Sequence, residues 1–123
     1  MDIQEAALTL QAVISASNST YQKYKDAEQA LESVCRELSS ARRDQMIAQN
    51  NLIQAAKVGV RNDGVAATMY RDSVMRTNDL VQKRREAQEL SNESLLNSCA
   101  SETKVMDAEG ELLKAALGDL VAL

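Results

Sequence analysis

Val58-Gly59-Val60-Arg61-Asn62-Asp63-Gly64-Val65 lies at the midpoint of this 123-residue chain and is the clearest break in its helix-forming texture. Two of the four glycines fall there, and Asn-Asp-Gly is a turn signal. Glycine reaches positive φ without strain, and Asn and Asp bond back to their own backbone. On each side runs a proline-free stretch rich in Ala, Leu, Gln, Glu, Lys, Arg and Met, with apolar residues at helical spacing. The expected fold is therefore all-α: a long, coiled-coil-like antiparallel helical hairpin. It forms a single domain over 1–123, with arm one at about 2–57, a hinge at about 58–64 and arm two at about 65–121.

The core available to such a hairpin is thin. The chain has no Phe, Trp or Pro, its aromatics are Tyr21, Tyr24 and Tyr70, and Ala supplies much of its 45% hydrophobic content. Packing along Leu, Val, Ile, Met and Ala seams fits better than a core centred on large side chains.

In the first segment Ile3, Ala7, Leu10, Ile14, Ser17, Tyr21 and Tyr24 fall at alternating four- and three-residue steps. From Ala27 the seam continues through Leu31, Val34, Leu38, Ala41, Gln45, Ala48, Leu52 and Ala55. The step from Tyr24 to Ala27 is three residues where four are due, a skip that overwinds a coiled coil or marks a change of packing partner. Ser17-Asn18-Ser19-Thr20 offers a place to interrupt the helix, with Ser19 and Gln22 as a capping box. In arm two Ala67, Tyr70, Val74, Thr77 and Val81 keep step. The seam then weakens where Arg84, Gln88, Ser91 and Ser94, or their neighbours, must occupy it. A kink within 91–101 is open.

The end carrying both termini is the most apolar part: Leu95, Cys99, Met106, Leu113, Ala116, Leu120 and Leu123 line up as the seam, with Leu112, Leu117 and Val121 widening the stripe. One hairpin covers one stripe per helix, and each large side chain left wet forgoes about 1.5–3 kcal/mol. Pairing hairpins into a four-helix bundle covers the surplus. A homo-oligomer, dimer or tetramer, is expected, with Ile3, Leu10, Ile14, Leu112, Leu113, Leu117 and Leu120 at the interface. The competing arrangement is a monomer whose arms fold back at joints near 18 and 94.

No histidine is present, so triads, imidazole acid–base chemistry and mixed zinc sites are excluded. No phosphate-cradling glycine loop occurs, and Glu86, Glu89 and Glu93 read as a solvated face. No enzyme, cofactor or metal is expected. Cys35 and Cys99 fall in different arms and, with residue n opposite roughly 123 − n, stand too far apart along the axis to bridge. They read as half-buried small apolar residues in a reducing, intracellular compartment. No stretch is apolar and long enough to span a bilayer.

Charge is segregated despite a modest net of −4. Residues 71–85 carry five basic and two acidic side chains, whereas 86–123 carry two basic and eight acidic. Arg36, Arg42 and Arg43 meet Lys83, Arg84 and Arg85 in a mid-hairpin band. Two readings stay open. Interleaved Glu32, Glu37, Asp44, Asp72 and Asp79 make the band an ordinary ion-paired face, or the band follows the phosphates of duplex RNA. Helical viral suppressors of RNA silencing work in this general way, an analogy of architecture with no shared motif. Scarce aromatics argue against single-strand binding. The function expected is a non-enzymatic oligomeric coiled-coil scaffold or adaptor acting on an unidentified protein partner, with double-stranded RNA binding as the alternative.

Overall fold

A computed structural model describes residues 2–59 and 63–121, with side chains over 2–59 and 64–118. Two long α-helices, α1 (Ile3–Val58) and α2 (Asp63–Val121), pack as a hairpin. Asp2 starts α1 as its cap: its Oδ1 accepts from the Glu5 backbone N–H at 2.7 Å, while its carbonyl accepts from Ala6. Gly59 ends α1 at φ +74°, the left-handed conformation that spares a Cβ clash, and donates to the Ala56 carbonyl at 3.3 Å. The hinge is shorter than expected, because Val58 remains helical and Gly64 lies inside the first turn of α2. Asn62 lies outside the described residues.

Neither suspected joint interrupts a helix. Through 17–20 the chain stays α-helical: Thr20 Oγ1 donates to the Ser17 carbonyl at 2.9 Å. Gln22 Nε2 turns forward to Asp26 at 2.9 Å instead of closing a capping box on Ser19. Through 91–101 α2 is likewise unbroken. With no proline and few glycines, hydroxyl side chains that bond to a preceding carbonyl are not enough to end a helix already propagating.

The packing divides into two units: a terminal unit, Met1–Glu28 with Leu90–Leu123, and a turn unit, Gln29–Glu89. In both, with Ala7, Glu28, Ala67, Val74, Val81 and Gly110 half-buried outside it, a four-three alternation of buried and half-buried positions runs without a skip. Along α1 these are Ala6, Leu10, Val13, Ser17, Thr20, Tyr24 and Ala27, then from Leu31 on to Ala55. Along α2 they are Ala66, Tyr70, Ser73, Thr77, Leu80, Arg84 and Ala87, then from Ser91 on to Ala115. The skip expected at Tyr24–Ala27 is therefore absent. Ala6, Val13 and Thr20 occupy the seam in place of Ala7, Ile14 and Tyr21, of which Ile14 and Tyr21 are exposed, and in α2 Ala66, Ser73 and Leu80 occupy it in place of Ala67, Val74 and Val81, which are half-buried beside it.

Small residues fill much of the seam. In the turn unit Leu38, Ala41 and Leu80 form a buried cluster with Val81 beside it, setting Ala41 opposite Leu80. In the terminal unit Thr20 and Ser101 line one cleft, and Ile3 shares another with Ala115 and Gly118. Extending these registers sets small side chains against one another in several layers, Ala6 near Ala115, Val13 near Ala108, Ala48 near Ser73 and Ala55 near Ala66. Intervening layers are mixed, Leu10 near Leu112 and Leu52 near Tyr70 but Tyr24 near Ser98. Among the described residues, five of the seven fully buried apolar side chains are alanines, so each layer buries little area and stability is spread thinly.

Candidate interaction surfaces

Three surfaces remain once the seam is accounted for. The first is the face of α2 turned away from α1 in the terminal unit. Leu96, Cys99, Thr103, Met106, Gly110, Leu113 and Leu117 recur there at steps of three and four, forming a second stripe roughly opposite the seam. Leu96 and Met106 are each 70% exposed, and Gly110, Leu113 and Leu117 line an open apolar groove with Lys114 and Gly118. Glu102 and Glu109 flank this stripe on one side and Asp107 on the other. None of the three carboxylates has an ion pair or hydrogen bond among the described residues. Lys114, the nearby cation, is held by Glu111 at 3.6 Å.

The second surface is the outward face of α1 in the turn unit. Arg43, Met46, Ile53 and Lys57 lie along it, with Ile47 and Arg42 at its edges, and all are exposed. From Cys35 to Lys57 the outward positions of α1 hold cations and no anion, because Glu37 and Asp44 sit on the flank that faces α2. Arg42, Arg43 and Lys57 have no ion pair or hydrogen bond among the described residues. Arg36 is bound to Glu32 at 3.7 Å.

The third is that flank itself. Glu37, Asp72, Met75, Arg76, Asp79, Leu80 and Lys83 line one cleft, and Arg76 Nη1 reaches Asp44 Oδ2 at 3.0 Å. Each of Glu37, Asp44, Arg76 and Lys83 comes one place before a seam residue, and in an antiparallel pair such positions face one another. Signs alternate across the flank, so its charges are largely matched.

The residues expected to act together are thus distributed. Among the assembly candidates, Leu10 and Leu112 are half-buried in the intramolecular seam. Ile3 and Ile14 are exposed on α1, and Leu113 and Leu117 are exposed on the outer stripe of α2. The Leu120 side chain lies outside those described. Among the basic residues, Arg84 is half-buried in the seam and Lys83 lies beside the acidic flank. Arg42 follows the seam residue Ala41 and so lies on the opposite flank from Lys83. Arg43 and Arg85 point outward from different helices. The six do not form one continuous face.

Cys35 and Cys99 are free thiols and both are exposed, contrary to the half-buried expectation. Each directly follows a seam residue, Val34 and Ser98, so a one-residue rotation of about 100° carries it out of the interface. Among the described residues no helix is long and apolar enough to cross a membrane, and no group of three or more carboxylate, thiol or imidazole side chains converges to hold a metal ion. Compared with known proteins, the chain matches no family model, no curated protein and no solved structure.

Proposed function

We propose that this protein is a non-enzymatic coiled-coil scaffold that works by assembling with further copies and presenting surfaces to protein partners. The observation that carries this reading is the outer stripe of α2, where Leu96, Met106, Leu113 and Leu117 are all more than half exposed. Covering the α2 stripe with another helix supplies burial that the alanine-rich seam lacks.

A second reading rests on Arg42, Arg43 and Arg85, which are exposed and without intramolecular ion pairs among the described residues. On that reading the cations bind the backbone of duplex RNA, with Arg36, Lys83 and Arg84 in support. The division of the six over several faces and the acidic overall charge favour the scaffold.

Light scattering after size-exclusion chromatography, alone and with a short RNA duplex at low and moderate salt, separates the two. An oligomer that ignores the duplex supports the scaffold, and Leu117→Glu then lowers its mass. A monomer at all concentrations refutes it. A duplex complex that dissociates with salt supports the second reading.

A further inference from the structure

We infer that assembly is heterologous: the basic outer face of α1 in the turn unit of one copy docks on the acidic outer stripe of α2 in the terminal unit of a second copy. The inference rests on the assembly reading above and adds the identity and polarity of the contact. The two faces match in their apolar spacing. Met46 and Ile53 stand seven residues apart on one, Met106 and Leu113 seven apart on the other. Each pair therefore repeats along its helix at the same heptad interval, as knobs and holes of facing helices require.

Charge selects the pairing. Stacking two α2 stripes brings Glu102, Asp107 and Glu109 of each copy together with no free cation beside them, since Lys114 is already held by Glu111 and Lys104 lies on the flank that shares a cleft with Thr20 and Lys23 of α1. Stacking two α1 faces likewise brings Arg42, Arg43 and Lys57 against their equals. The mixed contact alone sets unpaired cations against unpaired anions, and like-charge juxtaposition at an interface costs several kcal/mol. Gly110 contributes by shape: a Cβ built there meets nothing within 4 Å, which leaves a notch in the stripe for an incoming side chain. A heterologous contact leaves one face open on each end copy, so growth continues until a ring closes or a chain forms.

Complementing variants test this. One variant carries Met46→Asp and Ile53→Asp, and the other Met106→Asp and Leu113→Asp; all four side chains are exposed, and circular dichroism checks that both remain helical. Light scattering is expected to give the single-chain mass for each variant alone and twice that mass, no more, for their equimolar mixture. A charge-based pair, Arg42→Glu with Arg43→Glu and Glu102→Arg with Glu109→Arg, is expected to be monomeric apart and to regain the wild-type mass when mixed. If either apolar variant alone keeps the wild-type mass, or the mixtures stay monomeric, the contact is not this one, although the scaffold reading stands. A monomeric wild type overturns both.

Discussion

Arg76 of α2 reaches Asp44 of α1 across 32 positions of sequence, its Nη1 3.0 Å from the carboxylate Oδ2. Both side chains are about half exposed, 50% and 57%. The pair lies on the flank beside the Leu38, Ala41 and Leu80 cluster of the turn unit. It is nevertheless a solvent-screened interaction between long side chains, and such pairs contribute about 0.2–1 kcal/mol.

Asp44→Ala is therefore expected to lower unfolding stability by no more than about 1 kcal/mol, with the loss shrinking further at high salt. Urea titrations followed by circular dichroism, at low and high ionic strength, measure it. A loss several times larger means that the pair is more than a solvent-screened contact.

Leu38 behaves oppositely. It is 2% exposed and packs on Ala41 and Leu80, so Leu38→Ala opens a cavity that a helix pair cannot easily close. A cost of about 2–5 kcal/mol is expected. Leu113→Ala, at a residue 64% exposed, changes stability by about 0.5 kcal/mol or less when the protein is dilute. Denaturation of both variants at one low concentration makes the comparison, and equal losses contradict the assigned faces.

The contrast shows which parts of the fold were legible in the sequence. The two-helix hairpin and the seam from Ala27 to Ala55 follow from proline-free composition and four-three spacing. In the first segment the expected spacing takes Ile14 and Tyr21, the larger side chains, where the buried positions are Val13 and Thr20. Which of two neighbouring positions is buried becomes visible only when the facing Ala115, Ala108 and Ser101 are known. The weak middle of α2 follows the same logic: Arg84, Ser91 and Ser94 do occupy the seam, with Ala87 rather than Gln88 between them. At the end of α2 the seam expected through Leu95, Cys99, Met106, Leu113 and Ala116, where the outer residues carry the stronger apolar signal, is exposed, and the seam runs instead through Ser98, Val105, Ala108, Leu112 and Ala115. Only burial separates the two.

Gly59 and Gly110 are expected to respond to alanine with opposite signs. Gly59 holds φ +74°, where an L side chain is strained by roughly 1–2 kcal/mol, so Gly59→Ala destabilises. Gly110 lies in the interior of α2 with open space where a Cβ is added, so Gly110→Ala stabilises the monomer by about 0.5–1 kcal/mol. Thermal unfolding midpoints of the two variants decide the matter, and a Gly59→Ala protein as stable as wild type means that the α1 terminus does not need the left-handed turn.

Cys99 reports on assembly without altering the face it sits in. It lies between Leu96 and Met106 on the outer stripe of α2 and is exposed in the single chain. In a Cys35→Ser background, where Cys99 is the remaining thiol, its reaction with a thiol-specific chromogenic reagent is expected to be fast in dilute solution. The rate falls as concentration rises, because docking covers the stripe. Met46→Asp with Ile53→Asp in the same background removes the docking face and keeps the rate high at every concentration. A rate independent of concentration in a protein that light scattering finds oligomeric places the contact elsewhere, since a thiol buried under a partner helix has no path to the reagent.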